Sequence, residues 1–193
     1  MKKALFTTVA LTGLLALAPA FAQGTSTSTT TTAKKKTTTT ATTSGLSSAD
    51  RKFLTAAAQG GMLEVELGKI AAAKGSNPDV KAFGQRMVDD HSKANDQLKD
   101  LASKKEVKLL DKLSPSKQKM VDKYNKLSGA AFDSSYMSNM VTDHKQDVAE
   151  FKKEAKNGKD ADLKSWAGTT LPTLEDHLKM AQETNSKLHA KKK

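Results

Sequence analysis

The sequence predicts an all-α fold, an antiparallel four-helix bundle with a short extra helix between the second and third long helices. Three observations predict it. From Ser47 onward, apolar residues recur at three- and four-residue spacing, with no alternating, strand-like runs. Gly75 and Gly158 stand in short breaks between long periodic segments, where helix-to-helix turns belong. The periodic part is about 145 residues long, which suits a single domain.

The first helix opens at Ser48, the expected N-cap, and runs to Ala73, stopping at Lys74-Gly75-Ser76-Asn77-Pro78, a glycine followed by a proline. Its inward stripe is Phe53, Ala57, Gly60, Glu64, Leu67 and Ala71. Gly60, Gly61 and Gly68 each cost roughly 1 kcal/mol of helix propensity, which close approach of a neighbouring helix or a local distortion would offset. The second helix starts near Pro78, a residue that fits the first turn, and fades after Lys105; Val80, Phe83, Met87, His91, Ala94, Leu98 and Leu101 share one face. Ser114-Pro115 opens the short extra helix, which reaches Leu127. Ser128-Gly129 then bends the chain into the third long helix, Ala130 to Ala155, with Phe132, Tyr136, Met140, His144, Asp147 and Phe151 inward. After Asn157-Gly158 the fourth long helix runs from Asp160 to His189, with Leu163, Trp166, Thr170, Leu174, His177, Ala181 and Leu188 inward and a kink expected at Pro172.

The residues ahead of the bundle divide in two. Met1-Lys2-Lys3, the apolar run Ala4 to Ala18 and Ala20-Phe21-Ala22 have the form of a secretory signal peptide, so residues 1–22 are expected to be removed near Ala22 and the mature chain to be periplasmic or secreted. No later stretch approaches the roughly 20 apolar residues that a membrane span takes. Residues 23–46 consist almost wholly of Thr, Ser, Ala, Gly and Lys, too little apolar surface to offset the entropy lost on ordering, and are expected to form a tether. Lys34 to Lys36 offer that tether a basic contact with the cell envelope. The bundle is expected over 47–189, with 190–193 as a basic tail.

Charge and composition exclude several classes. The formal charge is +11, yet residues 47–190 hold 24 basic against 21 acidic groups, a net of only +3. Arg51 and Arg86 are the two arginines and aromatic residues are sparse, whereas nucleic-acid faces favour arginine forks and stacking rings; no nucleic-acid partner is expected. The absence of cysteine rules out disulfides, thiolate metal sites and a lipid anchor on cysteine. No nucleophile motif, phosphate loop or dinucleotide fingerprint occurs, so the expectation leans away from an enzyme.

Three of the four histidines occur as Asp-His pairs, Asp90-His91, Asp143-His144 and Asp176-His177, one on each of the last three long helices. The first two sit in similar pentapeptides, Met87-Val88-Asp89-Asp90-His91 and Met140-Val141-Thr142-Asp143-His144, which suggests a weak internal repeat. At 100° per residue the three histidines lie on or beside the apolar faces, as does Glu64 on the first helix. Measured from one bundle end shared by all four helices, they stand about 15 to 25 Å deep. Buried imidazoles and a carboxylate are costly unless paired or coordinated. Glu64, His91, His144 and His177 are therefore candidate ligands for a divalent transition metal (Zn, Fe, Mn or Cu), with Asp90 and Asp143 as further ligands or as groups that orient the imidazoles.

The alternative is a structural or stress-related interaction module with a metal-free polar core, in which the same groups satisfy one another. Oxygen-activating di-iron chemistry is disfavoured, because no Glu-x-x-His spacing occurs. Met87, Met137, Met140 and Met180 fit core packing better than a copper site, Glu66 turns away from the stripe, and His189 belongs to the solvated end.

At Gly60-Gly61-Met62-Leu63-Glu64, Met87-Val88-Asp89-Asp90-His91, Leu127-Ser128-Gly129-Ala130-Ala131-Phe132-Asp133 and Leu171-Pro172-Thr173-Leu174 the chain closely resembles the exported bacterial family called domain of unknown function 4142, over about Ala49 to Gln182. The resemblance implies a ferritin-like bundle in the periplasm, at the outer membrane or outside the cell. It also marks Glu64, His91, His144 and His177 as family-pattern positions, and it implies no agreed reaction.

Overall fold

The computed structural model describes residues 45–190. The expected signal peptide, most of the tether and all but the first residue of the basic tail lie outside the described residues. Those described residues form five helices and no strand: α1 (Ser48–Lys74), α2 (Pro78–Lys104), α3 (Pro115–Asn125), α4 (Gly129–Asn157) and α5 (Ala161–Ala190).

Local chemistry sets the helix ends close to their predicted places. Ser47, one residue before the expected cap, accepts from Asp50 N at 3.1 Å. Gly75 closes α1 by donating to Ala71 O, and Asn77 caps α2 by accepting from Asp79 N at 2.8 Å, with Pro78 in the first turn. Gly129 adopts φ 58°, left-handed backbone that a side chain would strain, and α4 begins there. Asp160 Oδ1 accepts from Leu163 N at 3.0 Å at the start of α5, and the helix continues through Pro172.

Two carboxylates tie the helix pairs α1–α2 and α4–α5 together. Asp133, at the start of α4, accepts from the backbone N–H groups of Ser76 (3.0 Å) and Asn77 (2.8 Å) in the α1–α2 turn. Asp50, at the start of α1, accepts from those of Lys159 (3.1 Å) and Asp160 (3.0 Å) in the α4–α5 turn. These bonds satisfy N–H groups that helix starts leave unpaired. They also show that the two turns lie at opposite ends of the bundle, each beside the start of the other pair. Residues 105–128, including α3, make the long return from the end of α2 to the start of α4.

The core falls into two apolar layers. Leu67, Phe83, Met87, Phe132, Tyr136 and Met140 dominate one; Phe53, Leu54, Leu98, Phe151, Leu163 and Leu174 dominate the other. Each large side chain buried this way contributes roughly 1.5–3 kcal/mol. Met87, Met137 and Met140 are fully buried in the first layer and Met180 packs on it, the core role expected of them.

The glycines of α1 differ in what they do. A Cβ at Gly68 would come within 2.7 Å of Gly84 O, so Gly68 and Gly84 let α1 and α2 cross closely. A Cβ at Gly61 would meet the Asn95 side chain, and one at Gly60 would meet nothing within 4 Å, so close approach does not account for Gly60. Opposite signs follow for alanine substitutions. Gly60→Ala is expected to raise stability by about 0.5–1 kcal/mol through helix propensity. Gly68→Ala should lower it by about 1–3 kcal/mol, because backbone would have to move. Chemical denaturation of the two variants checks both.

Candidate metal centre

Between the two apolar layers each long helix contributes one polar side chain: Glu64 from α1, His91 from α2, His144 from α4 and His177 from α5, all buried. Counted from the end where α1 begins, the four stand at about 20 to 24 Å by helical rise. They share a level because each lies near the middle of a helix, whichever end the turns occupy.

Each imidazole is anchored through one nitrogen. His144 Nδ1–H donates to Met140 O at 3.1 Å, the preceding turn of its own helix. His177 Nε2–H donates to Asp90 Oδ2 at 2.8 Å, and Arg86 Nε–H donates to that same carboxylate oxygen. His91 Nδ1 lies 3.0 Å from Glu64 Oε2, which accepts its proton. The other nitrogen of each ring, Nε2 of His91, Nε2 of His144 and Nδ1 of His177, is buried with no hydrogen-bond partner, and so is Glu64 Oε1. His144 Nε2 faces that orphaned oxygen at 3.5 Å.

Ring centroids of the three histidines are 5.2 to 5.7 Å apart, and one nitrogen from each lies within 4.8 Å of the others. A second group, Glu64, His144 and Asp147, meets the same distance. Nitrogens bound to one zinc-sized ion are roughly 3.3 Å apart, given metal–nitrogen bonds of about 2.0–2.1 Å, so a contraction on the order of 1 Å would close the set. The cluster can hold a metal ion.

The family model for DUF4142, described as a domain of unknown function, matches residues 35–184. The chain belongs to the DUF4142 family. The match reaches further toward the N-terminus than the likeness read from the motifs, into the last part of the expected tether. Among solved structures, the crystal structure of a DUF305 fragment from Deinococcus radiodurans is similar, with a TM-score of 0.64 over 74% of this chain and 99% of that one. At 10% identity the likeness shows the fold alone. No curated protein matches this DUF4142 chain.

Burial dominates the electrostatics of the DUF4142 cluster. It raises the Glu64 carboxyl well above the usual carboxylate range, with Asp147 and Asp143 adding to the rise. It raises Asp147 to about 7, helped by Asp143 and Glu150. It lowers His91 well below its ordinary value, assisted by His144 and His177, and lowers His144 to about 4. It lowers His177 too, against the pull of Asp90. Without a cation the imidazoles at neutral pH are neutral donors, the form a metal binds.

Of the remaining candidates, Asp90 works on His177. Burial pulls its carboxyl upward, but the Arg86 and His177 hydrogen bonds prevail and hold it below the usual range. Asp143 lies outside both ligand groups, its carboxyl raised by burial and eased by Lys117. Glu66 pairs at the surface with Lys69, and His189 donates to Asn185 O in an exposed turn, as their sequence positions suggest.

Asp147 was placed on the inward stripe but not among the ligands. A signal for it exists in the chain: Asp147 stands as many positions after Glu64 as Gly158 after Gly75 and Asp133 after Asp50. The same offset links the turn glycines and the two cross-tying aspartates, a relation of α1 to α4 that stands beside the likeness of the two Asp-His pentapeptides.

Proposed function

We propose that this DUF4142 chain is an exported, non-enzymatic envelope protein whose bundle holds one divalent transition cation between His91, His144, His177 and Glu64. The observation that carries this reading is the pairing of anchored and orphaned atoms. Every imidazole has an acceptor on one nitrogen and none on the other, the arrangement that fixes tautomer and ring direction in metal-binding histidines. Asp90 positions His177, and Asp143 adds negative potential near Glu64. Imidazole with carboxylate suits zinc, iron, manganese or copper.

The finer fold reading is an antiparallel, ferritin-like four-helix bundle. Its support is the single long connection between α2 and α4, with turns at opposite ends elsewhere, as in bundles with one crossover. Export rests on the charged and apolar first 22 residues, followed by a small-x-small step. The lysines of the tether then supply the envelope contact.

A rival reading has its own support: with its pKa raised, Glu64 keeps a proton that it can donate to His144 Nε2, so that a metal-free polar layer merely sets helix register. One experiment separates the two. Protein recovered from fractionated cells is assayed for bound metal, and its melting temperature is followed with zinc, iron, manganese and copper. A stoichiometric cation and a cation-specific rise are expected. Metal-free protein whose melting none of the four alters would leave the polar-layer reading standing.

A further inference from the structure

A cavity of about 20 Å³ adjoins the cluster beside Glu64 and His91. Its inner wall is made by Glu64, His91 and Asp147; Gly60, Ala94 and Thr170, all partly exposed, stand at its outer wall. A single water needs roughly 10–15 Å³, so the space takes one oxygen atom and no larger ligand. Two of the inner residues, each more than nine-tenths buried, carry polar atoms with no partner, Glu64 Oε1 and His91 Nε2. Trp166, in the same wall, adds an unpartnered buried indole N–H. Much of the lining is apolar, Ala57, Phe151 and Leu174 among it, and Glu64, His91, Asp147 and Trp166 supply its polar groups, enough partners for one water.

Gly60 sharpens the point. It sits mid-helix, where glycine costs roughly 1 kcal/mol against alanine, and a Cβ there would touch nothing within 4 Å. The fold would accept a larger residue; what a larger residue would take away is the space beside the cluster. We infer that this cavity seats one water or hydroxide on the bound cation, at a coordination position that the three imidazoles and Glu64 leave open, and that it exchanges with solvent past Gly60 and Ala94. The inference rests on the metal-centre reading above. A centre whose coordination is filled by protein ligands is structural, and one that keeps a position open binds exogenous ligands, so the cavity, by giving a fifth position beside the four protein ligands, assigns this centre to the second kind.

Water-proton relaxation of the full chain loaded with copper(II) alone tests it, because only an exchanging, directly bound water gives the large enhancement. The wild-type chain is expected to show that enhancement. Gly60→Leu, and independently Ala94→Leu on the facing helix, should lose it while retaining copper in the same stoichiometry. Enhancement no greater than that of coordinatively saturated copper in the wild type, or its full retention in both variants, would overturn the open position and leave the metal centre intact. A wild-type chain that takes up no copper, zinc, iron or manganese would instead refute the centre itself.

Discussion

A chain loaded with its cation is expected to melt roughly 8–16 °C above the metal-free form, and His144→Leu to abolish that difference. A ligand present at about a thousand times its dissociation constant stabilises the folded state by about 4 kcal/mol when the unfolded chain does not bind it. For a domain of this size each kcal/mol is worth about 2–4 °C. His144 is the right residue to remove, because its orphaned Nε2 belongs to both groups of potential ligands, facing Glu64 Oε1 at 3.5 Å.

The metal-free fold should behave in the opposite way. His144 is wholly buried between apolar layers, and its Nδ1 hydrogen bond goes to a helix carbonyl. Leucine fills a similar volume and deletes the unpartnered Nε2, while Glu64 Oε1 has no hydrogen-bond partner in either case, a replacement that is commonly neutral or stabilising. The metal-free variant is therefore expected to be at least as stable as the parent. Calorimetry with and without each cation measures both quantities, and a His144→Leu variant that keeps the cation-induced rise would remove His144 from the centre.

The helices were legible because their signals are local. Glycine and proline at Lys74-Gly75-Ser76-Asn77-Pro78, the Ser114-Pro115 start and the three- and four-residue stripes each act within one element, and the observed ends fall within about two residues of the expected ones. The long-range decisions were less visible. Nothing local states that Asp50 will reach the α4–α5 turn or that Asp133 will reach the α1–α2 turn. The common level of Glu64, His91, His144 and His177 does not depend on those contacts, since mid-helix residues stay level when a helix is reversed. For Gly60 periodicity gives the inward face, but only the packing shows that the neighbouring helices leave space there.

Metal-free protein is expected to lose on the order of 1 kcal/mol of stability between pH 6.5 and 8, and Asp147→Asn to remove much of that loss. Burial raises the folded-state values of both Glu64 and Asp147, the latter to about 7, whereas an unfolded aspartate titrates near 3.9. Between those values the folded chain holds protons that the unfolded chain has released, so stability falls as pH rises and the Asp147 share is spent above about pH 7. The histidines act with the opposite sign and in a lower window. His144 is neutral in the fold down to about pH 4, while unfolded histidine takes its proton near 6.5, so their contribution is lost as pH falls below 6.5. Above 6.5 the carboxyls therefore set the slope. Asparagine at 147 keeps the shape, cannot ionise, and removes the charge that lifts Glu64 after burial itself. A bound cation reverses the picture, because both carboxylates are then already deprotonated and the unfolded chain holds no extra acid protons to lose. The loaded protein should be flat or slightly rising over the same range. Thermal melts at pH 6.5 and 8 of the parent and of Asp147→Asn, each with and without cation, measure the slopes, and a metal-free parent whose stability rises across that interval would show that Glu64 and Asp147 are already ionised in the fold.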